Sequence, residues 1–521
     1  MIQLQINQQK VEVAEGSTLL AAAGKLGISI PTMCYKDGFP HFTSCMVCVV
    51  KDKNSGKLLP SCTVLVKDDM VIETDSDEVR AVRKTALELL LGEHVGDCEG
   101  PCQRACPANM NIPQMLRQIE AGELHEALIT IKKHIALPAV LGRICPAPCE
   151  KVCRRGQVDT FVSIRLLKRF VADFYLTATS PYLPECKPST GKKVAIVGSG
   201  PAGLSVAYYL LQEGHACTIF DDHAKPGGML RYGIPKTKLS HKVLDAEIEI
   251  IRKMGAAFKM NIKIGKDVSI ESLNAEYDSI VLTTGNLAPK ALKTFGVELS
   301  KTSIRINSKS FETSVKGIFA GGAIVRESKL AVRSVGHGRS IAVSVNQFLN
   351  KQDVTGHRQR FNSLIGKLRD DEREDYLKNS SGNLAQKFSK DDTMLPKQAA
   401  SEAARCLHCD CLKSENCKLR QYAEEYQANP KQYKGQERKK IEQELHHSGV
   451  IYEAGKCIKC GLCVRITESY GERLGLTFIG RGFDVRIGVP LNETLDKGLE
   501  KAAALCVEAC PTGALAFKDG K

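Results

Sequence analysis

The chain begins with a regular alternation of apolar and polar residues. "MIQLQINQQKVEV", residues 1–13, has the two-residue period of a half-buried strand, so we predict a first β-strand there. "VRAVRKTALELLLGEH", residues 79–94, predicts an apolar helix that ends near a histidine. No run approaches the roughly eighteen apolar residues of a transmembrane helix, and the N-terminus does not have the layout of a signal peptide. We therefore expect a cytoplasmic protein without membrane insertion.

A different pattern occurs in "KKVAIVGSGPAGLSVAYYLLQEGHACTIFDD", residues 192–222. An apolar strand leads through a glycine-rich turn into an apolar helix and a second strand, which is typical of a dinucleotide-binding fold; an ordinary glycine-rich turn is the alternative. Gly198 permits the tight turn, Gly200 lets the backbone approach a pyrophosphate, and Gly203 lets the helix pack on the sheet. Asp221, at the end of the second strand, is placed to bind an adenosine ribose hydroxyl.

Polar, charge-rich stretches separate the patterned regions. "KLRDDEREDYLKNS" and "KGQERKKIEQELHHSG" predict connecting helices or linkers, in which His446 and His447 are solvated. The net charge is +14 over 521 residues, but the basic residues are scattered and there is no tryptophan. This distribution argues against nucleic-acid binding and favours a solvated surface or an acidic protein partner.

Cysteine changes the picture most. Of 21 cysteines, all but Cys186 and Cys217 fall into groups. The groups are Cys34, Cys45, Cys48 and Cys62; Cys98, Cys102 and Cys106; Cys145, Cys149 and Cys153; Cys406, Cys409, Cys411 and Cys417; and Cys457, Cys460, Cys463, Cys506 and Cys510. Because disulfides are rare in the cytoplasm, grouped thiols there indicate metal binding or redox chemistry.

The first group lies in loops between β-branched segments. Four thiolates in a small β-rich domain suit a [2Fe-2S] cluster, in which each iron takes two sulfur ligands, and a zinc ribbon is the alternative. "PTMCY", the spacing of the four thiols and the following helix resemble the N-terminal domain of the large iron-sulfur subunit of complex I and its relatives in formate dehydrogenases and hydrogenases. The resemblance implies that His94 and Cys98 ligate a [4Fe-4S] cluster.

The second and third groups are found in "CEGPCQRACP" and "GRICPAPCEKVC". These strings resemble the helical N-terminal domain of the glutamate synthase small subunit and of dihydropyrimidine dehydrogenase. The resemblance implies one cluster on Cys98, Cys102 and Cys153, with His94 near its vacant position. It implies a second on Cys106, Cys145 and Cys149. The family's fourth ligand to the second cluster is a glutamate or glutamine, but Lys168 stands there, so that cluster has an unidentified ligand, an open position, or is missing.

The fourth group, in "EAARCLHCDCLKSENCKLR", suits zinc and iron-sulfur equally by its count, and His408 adds a further donor. The other clusters favour iron-sulfur. In the last group, C-x2-C-x2-C and a remote C-P form the bacterial ferredoxin arrangement for one [4Fe-4S] cluster on Cys457, Cys460, Cys463 and Cys510, which leaves Cys506 as a spare thiol. "FIGRGFDV" and "CPTGAL" again resemble the complex I subunit.

"PGGMLRYGIP", "GIFAGGAIV" and "SVGHGRSIA" resemble the FAD-binding segments of the glutamate synthase small-subunit family, with Ala323 where that family has aspartate. The predicted dinucleotide-binding residues are Gly198, Gly200, Pro201, Ala202, Gly203, Asp221, Gly227, Gly228, Met229, Gly321, Gly322 and Gly338. In the family an NADPH-binding domain is inserted between the two flavin segments. Here only about thirty residues separate "TTGN" from "KGIFAGG", so the resemblance implies a flavin without its own pyridine-nucleotide site.

These observations predict a multidomain α/β and α+β protein. The expected parts are a β-grasp [2Fe-2S] domain at 1–78, a helical [4Fe-4S] domain at 79–185, a Rossmann-like FAD domain at 190–350, a polar linker at 351–395, a cysteine module at 396–425, a linker at 426–449 and a [4Fe-4S] ferredoxin-like domain at 450–521. The expected cofactors are FAD, one [2Fe-2S] cluster and two to four [4Fe-4S] clusters.

Three functions fit this composition. The first is an electron-transfer subunit of a larger oxidoreductase, with no catalytic residue of its own and with hydrogenase-, formate dehydrogenase- or NADH dehydrogenase-like subunits or ferredoxin as partners. The second is a self-sufficient NAD(P)H:acceptor oxidoreductase similar to the glutamate synthase small subunit. The third is a zinc-bearing scaffold with vestigial sites.

Overall fold

The structure is a computed structural model that describes residues 1–179, 181–358, 360–378, 380, 388, 393–435, 439 and 441–518. The strands are β1 Ile2–Ile6, β2 Gln9–Val13, β3 Val49–Asp52, β4 Leu58–Pro60, β5 Val71–Glu73, β6 Lys193–Val197, β7 Ala216–Asp221, β8 Ala257–Met260, β9 Ser279–Leu282, β10 Ile318–Ala320, β11 Gln443–Glu444, β12 Val450–Glu453, β13 Thr477–Ile479, β14 Arg486–Gly488 and β15 Leu515–Phe517. The α-helices are α1 Leu19–Lys25, α2 Asp77–Gly92, α3 Pro101–Ala105, α4 Ile112–Glu120, α5 Leu124–Lys132, α6 Pro138–Ile144, α7 Pro148–Lys151, α8 Ile164–Leu176, α9 Pro201–Gln212, α10 Met229–Tyr232, α11 His241–Lys253, α12 Ile270–Glu276, α13 Pro289–Leu292, α14 Ala331–Leu349, α15 Asp370–Leu377, α16 Pro396–Ala403, α17 Lys418–Glu425, α18 Leu462–Ser469, α19 Leu495–Gly498 and α20 Ala503–Ala509.

Two compact units divide the chain. Unit 1 consists of Met1–Gly100, Arg360–Asn379 and His408–Lys521, and unit 2 consists of Pro101–Gln359 and Ser380–Leu407. The N-terminal and C-terminal cysteine groups therefore belong to the same unit, although the sequence places them in separate domains. Among the described residues, no helix is both long enough and apolar enough to cross a membrane.

The N-terminal part of unit 1 is a mixed sheet with strand order β2-β1-β5-β3-β4. β1 is antiparallel to β2 and parallel to β5, and Leu19 of α1 is buried in the same core as Ile6 and Ile72. The prediction of a single strand over residues 1–13 was wrong. Asn7 and Gln8 both adopt positive φ, 47° and 69°, which is the backbone of a tight hairpin turn, so the alternating segment folds back on itself.

The predicted helix at 79–94 is α2, which begins two residues earlier than the quoted segment. Ser76 caps it by accepting a hydrogen bond from the Val79 N–H at 3.4 Å, and Asp77 and Glu78 place negative charge in the first turn. The helix ends at Gly92, so His94 lies just beyond its last turn. The C-terminal part of unit 1 packs α18 and α20 against β12, which lies between β11 and β15 in an antiparallel sheet.

Unit 2 contains a parallel five-stranded sheet with the order β10-β9-β6-β7-β8. α9 and α14 pack closely against each other, and both contribute to the sheet's buried core. The rest of unit 2 is helical: α4 packs on α5, α6 packs on α8, and α3 packs on α7. This is the predicted combination of a Rossmann-like sheet with a helical cysteine domain.

The structure describes only part of each predicted linker. Residues 381–387 and 389–392 of the first linker lie outside the described residues, and its described part contains α15. Residues 436–438 and 440 of the second linker also lie outside them, and its described part contains β11. Residues 283–317, which the sequence suggested were too few for a nucleotide-binding domain, are all described and contain α13 but no strand between β9 and β10.

Candidate cofactor sites

The first site lies in the loops beside the N-terminal sheet. Its thiols, all buried, are Cys34, Cys45, Cys48 and Cys62. Hydrogen bonds from the thiols of Cys45 and Cys62 lower the pKa of Cys34, and a hydrogen bond from Cys62 lowers the pKa of Cys48 to about 6. The four sulfurs therefore form one continuous group in which two thiolates are stabilised. This donor set fits the two irons of a [2Fe-2S] cluster.

The second site is formed by α18, α20 and the loop before α18. Its four thiols are Cys457, Cys460, Cys463 and Cys510. Burial raises the pKa of Cys457, Cys460 and Cys463, and Cys510 lies close enough to raise each of them further. Gly461 has φ 73°, and a side chain on it would approach a ring atom of Phe42 to 2.7 Å, so this loop turns sharply against a neighbouring aromatic residue. The donors fit a [4Fe-4S] cluster.

A third group in unit 1 joins residues that the sequence assigns to different strings. The backbone N–H of Cys411 donates to the carbonyl oxygen of Cys98 at 3.3 Å. Burial raises the pKa of Cys417 to about 12, and Cys411 and Cys98 are among the neighbouring thiols that raise it further. Cys98, Cys411 and Cys417 therefore lie together, and no sequence motif pairs Cys98 with the fourth group.

His94 lies beside this group. Burial lowers its pKa to about 4, and the Lys456 ammonium group contributes to that shift. Its Nδ1 atom is buried and has no hydrogen-bond partner among the described residues. A neutral imidazole with an unpartnered nitrogen has a lone pair to offer to a metal. His94 therefore fits the role of a cluster ligand.

Lys456 is a neighbour that the sequence did not single out. Burial alone would lower its pKa, but the Cys411 thiol and the Glu453 carboxylate raise it. Lys456 and Glu453 form a buried ion pair. This ammonium group is positioned to offset negative charge on the sulfurs around Cys411.

The three groups of unit 1 are neighbours. Cys34, Cys45, Cys417 and Cys460 share one buried core cluster. Cys34 is among the groups that raise the pKa of Cys460, and Cys510 is among those that raise the pKa of Cys417. Thiols of the C-terminal site therefore lie close to a thiol of each of the other two groups.

Unit 2 gathers its own thiols. One core cluster contains or contacts Cys102, Cys106, Cys145, Cys149, Cys153 and Cys406. The left-handed residue Ala147, φ 51°, turns the chain between Cys145 and the start of α7. Cys106, Cys145 and Cys149, one of the predicted sets, line a single cavity. Cys102 and Cys153 share the core cluster with Cys406, and the predicted set of Cys98, Cys102 and Cys153 stays a prediction.

Sulfur spacing bears on the zinc alternative. Tetrahedral zinc with Zn–S bonds of about 2.3 Å places its sulfurs about 3.8 Å apart. Among the described residues, no three cysteine sulfurs lie within 4.8 Å of one another; the one such group of potential metal donors is Asp221, Asp222 and His223. The described thiols therefore include no set of three with the compact spacing of a tetrahedral zinc site.

The dinucleotide site is built by close contacts between glycines and backbone. Gly198 has φ 107°, and a side chain there would lie 2.5 Å from the Thr283 carbonyl oxygen. A Cβ on Gly203 would lie 1.9 Å from the Gly198 carbonyl oxygen, so only glycine lets α9 pack on this turn. By contrast, a Cβ on Gly200 would meet nothing within 4 Å. Gly200 therefore faces open space at the N-terminus of α9, which fits an approaching pyrophosphate.

Distant glycines converge on the same helix terminus. A Cβ on Gly228 would lie 2.9 Å from the Gly200 Cα, and a Cβ on Gly338 would lie 2.5 Å from the Ala202 carbonyl oxygen. A Cβ on Gly322 would contact the Ala202 side chain at 3.1 Å. The other predicted residues lie nearby in the sequence. Pro201 begins α9, and the backbone N–H of Gly227 donates to the Ser199 carbonyl oxygen. Met229 begins α10 and is exposed, and Gly321 precedes Gly322 in the turn after β10.

Asp221 ends β7 as predicted and is already hydrogen-bonded. One carboxylate oxygen accepts from the Ser199 N–H at 2.7 Å and from its hydroxyl at 2.6 Å, and the other accepts from the His223 N–H at 3.0 Å. Burial opposes the charged form, but these hydrogen bonds hold the pKa of Asp221 below its ordinary value. Asp221 is thus an ionised residue that braces the glycine turn, and its contact with a ribose remains a prediction.

Four segments match known domain families. Residues 1–77 match a 2Fe-2S iron-sulfur cluster binding domain, and residues 93–179 match domain II of dihydropyrimidine dehydrogenase, described as a 4Fe-4S cluster domain. Residues 196–255 match an NAD(P)-binding Rossmann-like domain, and residues 448–516 match the ferredoxin-like domain of NADH-quinone oxidoreductase subunit 3. The fold class and the resemblances stated from sequence are confirmed: the chain carries 2Fe-2S, 4Fe-4S and Rossmann-like domains.

Curated relatives share parts of this combination. The chain is 40% identical over 206 residues to the NADP(+)-dependent formate dehydrogenase subunit beta of Moorella thermoacetica, covering 36% of this chain and 29% of that protein. It is 38% identical over 248 residues to the NADPH-Fe(3+) oxidoreductase subunit beta of Geobacter sulfurreducens, covering 47% and 34%. It is 41% identical over 200 residues to the NAD-dependent dihydropyrimidine dehydrogenase subunit PreT of Escherichia coli O157:H7, covering 38% and 48%. The chain thus spans between about a third and a half of each relative.

Proposed function

We propose that the protein is an FAD- and iron-sulfur-dependent electron-transfer subunit of a larger cytoplasmic oxidoreductase. A flavin exchanges two electrons with a hydride donor and releases them singly, and an iron-sulfur cluster carries one electron at a time. The matched iron-sulfur domains and a Rossmann-like domain in one chain support this proposal.

The observation that carries this proposal is the adjacency of the thiol groups in unit 1. Cys34, Cys417 and Cys460 come from three distant parts of the sequence, and they share one buried core. Sites that bind metal only for structural support have no need to be neighbours. Transfer of electrons between clusters does require short separations, and a common core supplies them.

We assign the cluster ligands by these groups. The [2Fe-2S] cluster takes Cys34, Cys45, Cys48 and Cys62; one [4Fe-4S] cluster takes Cys457, Cys460, Cys463 and Cys510; and a second takes His94, Cys98, Cys411 and Cys417. In unit 2, Cys106, Cys145 and Cys149 hold a further cluster, and Cys102, Cys153 and Cys406 remain as donors for another; Cys409 lies in unit 1. This assignment moves Cys98 from the set predicted by resemblance to the group around Cys411.

FAD is the dinucleotide that we assign to the Rossmann-like domain. Gly200 and the N-terminus of α9 offer backbone to a pyrophosphate, and Gly228, Gly322 and Gly338 bring three further segments of chain to the same place. The last two segments are those that resemble the second FAD-binding half of the glutamate synthase small-subunit family. The residues 283–317 between β9 and β10 form no second sheet for NADPH.

The partners are proposed from chemistry. Because this chain carries clusters without a molybdenum- or hydrogen-activating site that the sequence identifies, substrate chemistry belongs to other subunits. The net charge of +14 favours docking of an acidic redox protein such as ferredoxin or an acidic subunit.

Direct oxidation of a pyridine nucleotide is the second candidate function. The Rossmann-like segment matches a family described as NAD(P)-binding, and the relatives' names include NADP(+), NADPH and NAD. In that case the chain would act without a separate hydride-accepting subunit, and the two functions predict different behaviour toward NAD(P)H.

The test mixes the purified full chain anaerobically with NADPH and, separately, with NADH, and follows flavin absorbance. We expect slow or no flavin bleaching with either nucleotide and rapid bleaching with reduced ferredoxin. Rapid bleaching by NADPH or NADH would establish the second candidate instead. Iron, acid-labile sulfide and released flavin are measured on the same sample. A chain with zinc and no sulfide would refute both functions, and the zinc-bearing scaffold would be the remaining one.

A further inference from the structure

The cavity between α7, α8 and the chain around Cys106 contains an unusual set of donors. Its lining residues with a side-chain atom able to bind metal or donate a hydrogen bond are Cys106, Cys145, Cys149, Met110, Arg165 and Lys168. Neither a carboxylate nor an imidazole is among the described residues that line it.

The thiols alone cannot supply the usual four ligands of a [4Fe-4S] cluster. The usual ligation gives each of the four irons one cysteine thiolate, and the cavity presents three thiols. Met110 carries a thioether, which is a weak donor, and an arginine has no lone pair to give. The nearest carboxylate in sequence, Glu150, already accepts a hydrogen bond from the Arg165 backbone N–H at 2.8 Å.

Lys168 occupies the remaining side of the cavity. Its side chain is buried, with 5% of its surface exposed, and it lines the cavity together with Cys106, Cys145 and Cys149. A positive charge enclosed with thiols is stabilised by a negatively charged group held among them. An anionic cluster on the three thiols would be such a group.

We propose that Cys106, Cys145 and Cys149 hold a three-iron [3Fe-4S] cluster, one thiolate to each iron, and that the Lys168 ammonium group is its buried counter-ion. The inference rests on the proposed function, because it requires that the cysteines of unit 2 bind iron-sulfur clusters. A cation and hydrogen-bond donor beside the cluster sulfurs stabilises the reduced state and raises the reduction potential.

The test uses the full chain, prepared and reconstituted with iron and sulfide under strictly anaerobic conditions, because exposure to air creates three-iron clusters at other sites. Oxidised wild-type protein is expected to give the nearly isotropic electron paramagnetic resonance signal of a three-iron cluster. Cys149→Ala should abolish that signal and leave the reduced [2Fe-2S] signal unchanged. A signal that survives Cys149→Ala would place the three-iron cluster elsewhere and overturn the proposal.

Lys168→Glu is the decisive variant, because it supplies the missing carboxylate. We expect the three-iron signal to disappear, one additional [4Fe-4S] signal to appear on reduction, and the iron content to rise by about one atom per chain. Lys168→Met keeps the volume without the charge, and should retain the three-iron signal at a lower midpoint potential. Lys133→Glu makes the same charge change at an exposed position in unit 2 and should change none of these readouts.

The outcomes separate this inference from the proposed function. Full iron and sulfide loading without a three-iron signal, or a three-iron signal that Lys168→Glu leaves in place, overturns the inference alone. A chain without sulfide and flavin overturns the proposed function as well.

Discussion

Two sites in the protein each gather three buried or partly buried cysteines and differ in the fourth group. In unit 1, Cys457, Cys460 and Cys463 meet Cys510, and in unit 2 the cavity of Cys106, Cys145 and Cys149 meets Lys168. Burial raises the pKa of thiols at both sites, including Cys460 and Cys149. Desolvation is therefore common to the two sites, and the difference lies in the donor.

The comparison shows that burial of cysteines does not by itself define a cluster. A thiol at the fourth position can bond to iron, whereas a lysine ammonium group can only neutralise charge and donate hydrogen bonds. The same three-cysteine frame therefore offers four thiol donors in one unit and an incomplete donor set in the other. Four predictions test how far this difference extends.

The largest effect is expected from Cys510→Ala, which reduces the unit 1 site to three thiols without supplying a lysine. We expect loss of the [4Fe-4S] signal of this site and of at least one iron per chain, because three thiols remain as in the unit 2 cavity, with the [2Fe-2S] signal retained. Cys506→Ala is the matched control: Cys506 is fully buried nearby, with its thiol 3.8 Å from the Cys463 carbonyl oxygen. Equal loss of iron in both variants would show that packing, and not ligation, holds the cluster.

His94→Ala tests a site in which an imidazole replaces one thiol. We expect one [4Fe-4S] electron paramagnetic resonance signal to change and the [2Fe-2S] signal to stay intact. In protein labelled with ¹⁵N-histidine, the nitrogen hyperfine coupling of that cluster should vanish. His446→Ala, at an exposed position in the same unit, should preserve both signals. An unchanged spectrum in His94→Ala would show that His94 has a structural role and is not a cluster ligand.

The dinucleotide site distinguishes packing from ligand binding in unit 2. Gly203→Ala should destabilise the unit by about 1–3 kcal/mol, because its Cβ would overlap the Gly198 carbonyl oxygen. Gly200→Ala should leave the thermal unfolding midpoint near that of the wild type and weaken flavin retention. Flavin content after dialysis and calorimetry measure the two effects. Loss of stability in Gly200→Ala with flavin retained would contradict the assigned role of Gly200.

The smallest effect concerns His134, which is partly buried in unit 2 and faces Arg339, His357 and Lys133. Burial, followed by the charge of Arg339, lowers the pKa of His134 to about 3 from an ordinary value of 6.5. The unfolded chain then binds a proton that the folded chain does not, so this residue reduces stability as the pH falls below 6.5. In His134→Gln, the drop in unfolding midpoint between about pH 7 and pH 5 should be smaller. His125→Gln, at an exposed position, should keep the wild-type slope.

Local patterns predicted much of the fold. The helix at α2 and the strand–turn–helix–strand from β6 to β7 follow from periodicity and glycine spacing, because the contacts that form them join residues close in sequence. The prediction of a single strand at residues 1–13 was wrong for a local reason as well. Two left-handed residues, Asn7 and Gln8, make a turn that the alternation of apolar residues does not reveal.

The candidate sites were harder to predict where their parts are distant. Nothing in "HVGDCEGPC" or "CLHCDCLKSENC" indicates that the Cys98 carbonyl oxygen accepts a hydrogen bond from Cys411. Lys456 was missed because a lysine beside cysteines is usually solvated, and only its burial with Glu453 reveals its position next to Cys411 and His94. Lys168 was noticed in the sequence as a departure from a pattern, but its place in one cavity with three thiols required the structure.

The sequence by itself determined the kinds of chemistry in this protein. Two motifs carry that chemistry, the spacing of Cys457, Cys460 and Cys463 and the spacing of Gly198, Gly200 and Gly203. Each acts over a few residues, where chain geometry limits what the side chains can reach. The tertiary structure alone decided which of these groups are neighbours. It placed Cys417 in a core with Cys34 and Cys460, and it closed a cavity of three thiols around Lys168. The physical reason is that such long-range contacts arise from burial of apolar surface shared by many residues, which no short stretch of sequence encodes.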